Sequence, residues 1–139
     1  MPIQSTKHFV GGSGEHLVAA YFLKHNIGVY IPAHVDKKDL VIYLGNELGY
    51  YGVQVKSASS PLPEVRRTTR YRFSFQKAKN WYNTYEIPIF CCVALDKMRI
   101  HFFINDGIKE HYTVNEKLFN RVDEKKSFDD VMKHLNYYD

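Results

Sequence analysis

Two short apolar runs, joined by a stretch that must turn, constrain this chain more than any other feature. Leu40-Val41-Ile42-Tyr43-Leu44 follows Asp39 without a gap, and Tyr51-Gly52-Val53-Gln54-Val55-Lys56 comes shortly after a segment, Gly45 to Gly49, that begins and ends in glycine. Strand-length runs on either side of such a segment predict an antiparallel hairpin. Along the second strand Gln54 and Lys56 share one face and Val53 and Val55 the other, because side chains alternate. Pairing then sets Asp39 beside Gln54, Val55 and Lys56. A carboxylate, an amide oxygen, a main-chain carbonyl and an ammonium meet at one sheet edge. A hard cation such as Mg²⁺ takes oxygen donors of this kind, with one or two carboxylates and with water and phosphate completing its shell. A neighbouring ammonium holds a water or offsets charge on a phosphoryl group. The same positions also fit a plain solvated strand face, and the pattern alone leaves both readings open.

Size and charge narrow the partner class. The 139 residues fit a single domain, 1–139, and 45% hydrophobic content with 15% aromatic is enough for a packed core and argues against disorder. The formal charge of +4 is unevenly spread. Between Lys56 and Lys79 seven basic residues (Lys56, Arg66, Arg67, Arg70, Arg72, Lys77 and Lys79) stand against one acid, Glu64. A concentrated positive region suits a polyanion. If the arginine segment is extended, Arg66, Arg70 and Arg72 share one side, and the interleaved Tyr71 and Phe73 suit a base stack. A hydrated edge strand guarded by charge is the alternative. Cys91 and Cys92 are adjacent, so strand geometry points them apart and no disulfide joins them. No zinc spacing, signal core or membrane-length run is present, and Gly11-Gly12-Ser13-Gly14 lacks the lysine of a phosphate-binding loop. A soluble, cytoplasmic protein with no membrane partner is expected.

The remaining elements follow from periodicity and caps. Ser13 is a good N-cap for a helix from Gly14 or Glu15 to about His25, with Leu17, Ala20, Tyr21 and Lys24 along one side and Val18 and Phe22 broadening the stripe. Glu15 then stands in the first turn, a place that suits a carboxylate on electrostatic grounds as well as it suits a metal ligand. Gly28 to Ile31 reads as a short strand. Ser74 caps a second helix from Phe75 to Asn83 that carries Gln76, Lys77 and Lys79. Ile87–Leu95 and Met98–Ile104 are strands, Lys109–Thr113 is a short strand or an irregular edge, and Asn115 caps a short helical stretch. Ser127-Phe128-Asp129-Asp130 opens the last helix. Trp81, Tyr82 and Tyr85 read as packing residues. This order predicts an α/β fold with a central mixed sheet flanked by helices.

The hairpin motif resembles the PD-(D/E)XK nuclease superfamily over roughly residues 11–58. The resemblance makes Asp39 the proximal acid, Gln54-Val55-Lys56 the (D/E)XK element, and Glu15 the first-helix glutamate found in archaeal Holliday-junction resolvases. Lys38 stands where the family's proline would be. Gln54 replaces the middle acid, as in certain intron-encoded homing endonucleases. What the resemblance implies is a restriction-endonuclease-like core and a metal-dependent endonuclease acting on double-stranded or branched DNA, either homing or restriction-like or junction-resolving. Asp39, Glu15 and the Val55 carbonyl would hold Mg²⁺, with Mn²⁺ as a substitute. Gln54 would be an auxiliary ligand or hold water, and Lys56 would orient the water. Asp36 would play an outer role. Lys37, Lys38, Arg66, Arg67, Arg70, Arg72, Gln76, Lys77 and Lys79 would contact nucleic acid, and a homodimer or higher homo-oligomer would place two centres across a duplex. A nuclease fold that binds nucleic acid without cutting it is the alternative.

Overall fold

The computed structural model describes residues 6–33, 37–75 and 82–138. The elements run α1 (Thr6–Lys24), β1 (Gly28–Tyr30), β2 (Leu40–Tyr43), β3 (Tyr50–Ala58), β4 (Arg70–Ser74), β5 (Ile89–Ala94), β6 (Arg99–Ile104), β7 (His111–Asn115), a single 3₁₀ turn (Glu116–Leu118) and α2 (Arg121–His134). Five strands form one sheet in the order β1-β2-β3-β5-β6, parallel between β3 and β5 and antiparallel elsewhere. The architecture is the mixed α/β fold with a central mixed sheet that the sequence predicts. Both helices pack on one face, where Val18 and Phe22 of α1 and Phe128, Val131 and Met132 of α2 meet Leu40, Ile42, Val53, Val55, Ile89 and Cys91. The other face is covered by a separate two-stranded sheet of β4 and β7, through Tyr71, Phe73, Tyr112 and Val114 against Phe90, Cys92 and Ala94. Among the described residues no helix is long and apolar enough to cross a membrane.

The β2–β3 hairpin forms in the expected register, with Leu40 opposite Val53 and Tyr43 opposite Tyr50. Its connection closes through bonds from Leu44 N–H to the Gly49 carbonyl (2.9 Å) and from Gly49 N–H to the Gly45 carbonyl (2.7 Å). Gly45 (φ 101°) and Gly49 (φ 78°) occupy backbone regions that side chains disfavour, which accounts for a glycine at each end. Cys91 and Cys92 point to opposite faces as predicted. Both thiols are fully buried and unpaired, and burial pushes both well up.

Helix boundaries depart from the sequence reading. The first helix begins at Thr6, not Gly14, so Ser13 lies within it and caps nothing. The deepest line along α1 is Gly14, Val18 and Phe22, while Ala20 and Lys24 are exposed. Gly14 is the point of contact with β3. A Cβ there would lie 1.7 Å from Ser57 Oγ, so only glycine lets the helix sit so close. A Cβ on Gly11 or Gly12 would meet nothing within 4 Å among the described residues, so neither position needs a glycine for packing. Ser74 belongs to β4, and Phe75 N–H donates to the Glu110 carbonyl (2.8 Å), extending the β4–β7 ladder instead of opening a helix. Most of the predicted second helix, including Gln76, Lys77, Lys79 and Trp81, lies outside the described residues, and Tyr82 and Asn83 are not helical.

The last helix starts at Arg121, capped by Asn120, whose side-chain oxygen accepts from Asp123 N–H (2.9 Å). Ser127 is therefore buried in its interior and not at its start. The reason is tertiary. β6 is an edge strand, and its outward amides need partners. Ile100 N–H donates to Glu124 Oε2 (2.8 Å) and Phe102 N–H to Ser127 Oγ (3.0 Å), while Arg99 pairs with Glu124 Oε1 at 3.2 Å. Helix α2 thus closes the sheet edge with its own side chains. The 3₁₀ turn is capped by Asn115, as predicted.

Two stability outcomes follow from this packing. Replacing Gly11 or Gly12 by Ala should stabilise the fold by about 0.5–1 kcal/mol each through helix propensity, whereas Gly14→Ala should destabilise it by about 1–3 kcal/mol through overpacking. Urea denaturation of the three single variants checks this. Glu124→Ala should cost about 2–3 kcal/mol, since it leaves the buried Ile100 amide without an acceptor, read as a fall in the urea midpoint at unchanged slope.

Candidate active site

The site is built where β2 and β3 part. At the last rung of their ladder Asp39 N–H donates to the Val53 carbonyl (2.9 Å). Beyond it β2 leaves, and the ladder is continued by a side chain: Val55 N–H donates to Asp39 Oδ2 at 2.8 Å. The amide and carbonyl of a residue in such a ladder project to the same side. The Val55 carbonyl therefore opens into the gap that β2 vacates, next to the Asp39 carboxylate. Helix α1 delivers Glu15 to this place from one face, and its carboxyl shares a hydrogen bond with that of Asp39.

From β3, Gln54 and Lys56 stand on the opposite face from Val53 and Val55, as predicted, in register with Phe90 and Cys92. Lys56 lies close enough to Asp39 for its charge to stabilise that carboxylate. Gln54 is buried, with 6% of its surface exposed, and its Oε1 has no hydrogen-bond partner among the described residues. The sequence placed it at a cleft or in water. Nearby, the segment that leads into β5 meets β3 at Gly52, whose N–H donates to the Glu86 carbonyl (2.8 Å). A Cβ on Gly52 would sit 2.4 Å from that carbonyl and 2.8 Å from Lys38 Cγ, so the glycine admits both.

Electrostatics single out the carboxyl pair. The Glu15 carboxyl is pushed up to about 7, first by burial, then by the charge of Asp39 and the hydrogen bond between them. Burial also raises Asp39, against the pull of the Val55 amide, Lys56 and Glu15. The Glu15 and Asp39 carboxyls and the Val55 carbonyl are oxygen donors of the kind a hard divalent cation takes, while Gln54 stands on the face of the sheet opposite α1. Among the described residues no group of three or more His, Cys, Asp or Glu gathers, so cages of softer or more numerous ligands have no counterpart. Tyr82, read from sequence as packing, borders the site. Burial and then the negative charge of Asp39 raise its phenol. No motif marks it, because the turn that brings it there is fixed from β6, where Asn105 Nδ2 donates to the carbonyls of Tyr82 (3.0 Å) and Ile87 (2.9 Å).

The expected nucleic-acid contacts divide. Asp36, Gln76, Lys77 and Lys79 lie outside the described residues. Lys37 and Lys38 flank Asp39, half-buried and with partners. Arg70 and Arg72 are on β4, where Arg72 Nη2 lies 3.5 Å from His111 Nδ1. The expected base-stacking residues are not available: Tyr71 is 0% exposed and Phe73 2%, and the Tyr71 hydroxyl donates to the Asp96 carboxylate (2.6 and 2.7 Å to its two oxygens). The arginine segment is extended only from Arg70 onward. Val65 and Thr68 pair across a two-residue turn whose central residues, Arg66 (φ 51°) and Arg67 (φ 62°), are both left-handed. Each non-glycine residue in that region costs about 1–2 kcal/mol. A cleft of about 490 Å³ between β6 and α2, lined by residues including His101, Asp123, Asp130 and His134, holds none of the candidate site residues.

No protein-family model matches this chain, and no curated protein sequence does. Its structure is similar to that of a bacterial homing endonuclease, I-Ssp6803I, with a TM-score of 0.62 at 17% sequence identity, over 79% of this chain and 78% of that one. The chain thus shares its mixed α/β fold with a bacterial homing endonuclease.

Proposed function

We propose that this chain is a metal-dependent endonuclease that hydrolyses DNA phosphodiester bonds with a PD-(D/E)XK-type site in its Gln54 form. The observation that carries the reading is the carboxyl pair of Glu15 and Asp39 at the split between β2 and β3, with Lys56 close enough to stabilise Asp39. The fold shared with a homing endonuclease supports it and favours the homing or restriction-like role over junction resolution. Glu15, Asp39 and the Val55 carbonyl would hold Mg²⁺ or Mn²⁺, which supplies a Lewis acid for a phosphoryl oxygen and a more acidic bound water. Gln54 offers its unpaired oxygen as an auxiliary ligand or to a water. Lys56 orients the attacking water and offsets the charge that grows on the phosphoryl oxygens. Arg70 and Arg72 neutralise DNA phosphates, and a second copy of the chain would bring a second centre to the opposite strand.

Gln54 supports one rival. Loss of an acid from the (D/E)XK position lowers the negative charge available to a cation, as expected of a nuclease fold that only binds DNA. A nicking assay on supercoiled plasmid with Mg²⁺ or Mn²⁺ separates the two. Cleavage by the native chain, falling at least about 100-fold in Asp39→Ala and Lys56→Ala with duplex affinity retained, supports the enzyme. Salt-dependent binding with no cleavage in either metal supports the binder.

The raised Glu15 carboxyl gives two pH signatures. Without divalent metal the folded chain holds this proton more tightly than the unfolded chain, whose ordinary value is 4.5, so stability is highest below about 4.5 and declines as pH rises to about 7. For a half-exposed group, allowing for solvent screening, the decline is on the order of 1–2 kcal/mol, and Glu15→Gln should remove it in melts between pH 5 and 8. Metal binding needs the ionised form, so apparent Mg²⁺ affinity should fall about tenfold per pH unit below about 7 and level off above it, measured by metal titration of the nicking rate.

A further inference from the structure

The segment between β3 and β4 is a finger. It leaves the end of the strand that carries Gln54 and Lys56 and returns into β4, which packs on the face those two residues occupy. Its two sides are tied by Leu62 N–H to the Arg70 carbonyl (2.9 Å) and by reciprocal bonds between Val65 and Thr68 (3.1 and 2.9 Å). Pro61 and Pro63 stiffen one side, and Thr69 at the base of the other accepts from Glu116 N–H (2.9 Å) beyond β7. The tip is Arg66-Arg67, exposed, with both residues left-handed. Such two-residue turns ordinarily hold Asn-Gly or another glycine pair. Among the described residues neither guanidinium takes a carboxylate partner. Phosphate neutralisation needs positive charge but no particular turn, and flexible side chains anywhere on the surface would serve it. Two planar forks on a rigid, narrow ribbon are suited to a different task, since a two-stranded ribbon fits the DNA major groove and arginine pairs bidentately with guanine O6 and N7.

Building on the endonuclease reading, we propose that the Arg66-Arg67 tip enters the major groove and reads guanine, making these two residues sequence-specificity determinants. The variant to compare is Arg66→Asn/Arg67→Gly, which keeps the turn in its preferred residues and removes both forks, so it should melt no lower than the native chain. Both proteins are used to select from a pool of random-sequence duplexes, with calcium as the divalent ion. The native chain should enrich a guanine-containing sequence, and 7-deazaguanine at that position should weaken binding at least about fivefold. The variant should bind the unselected pool within about threefold of the native chain, yet prefer the enriched sequence at least about tenfold less. An equal loss on enriched and unselected duplexes makes the tip a phosphate clamp and overturns the proposal. So does a variant with the native preference, or a native chain that binds duplex but enriches no guanine. These outcomes leave DNA binding intact. A native chain with no salt-dependent affinity for the pool removes the endonuclease reading together with this one.

Discussion

The hydrogen bond from the Val55 amide to the Asp39 carboxylate is the constraint on which the site rests. Strand β2 must leave β3 for the open gap to exist, yet a buried amide left behind would cost free energy without an acceptor. One oxygen of Asp39 satisfies that amide, and the same bond fixes the carboxylate beside the Val55 carbonyl. The register depends on it as well. Leu40 opposite Val53 sends the apolar side chains of both strands to the helices and Gln54 and Lys56 to the other face. A slip of one residue would exchange the faces and put Lys56 in the core.

Around this bond the chain holds groups that stability alone would not select. Two carboxyls share a hydrogen bond at a partly buried place, and the proton between them is retained to near neutrality. A glutamine oxygen is enclosed without a partner among the described residues. Two consecutive arginines take left-handed backbone where glycine would be relaxed. Each is a local conflict of the kind that marks functional positions.

Elsewhere the packing follows the apolar pattern of the strands. The two faces of the sheet carry separate apolar cores, divided between them by neighbouring residues such as Cys91 and Cys92. The edge strand β6 is closed by Glu124 and Ser127 of α2, so that side chains complete a ladder where no further strand follows.

Much of this was legible in the residues. Alternation in 50–58 and the paired glycines at 45 and 49 specified the hairpin, its faces and the company of Asp39, because these are local periodicities with a short connection. Other features were not local. Ser13 reads as a cap, but α1 continues through it because Gly14 docks on Ser57, forty-three positions away in the chain. Ser127 reads as a helix start, but it serves an amide on β6. Tyr71 and Phe73 alternate with arginines as a stacking surface would, yet they fill the second core against Phe119. The sequence by itself determined which residues alternate, where the chain turns and which donor types lie near one another. Tertiary structure alone decided which apolar faces are covered, whether Glu15 reaches Asp39, and how far its proton is held, since burial and through-space charge depend on what packs across the chain and not along it.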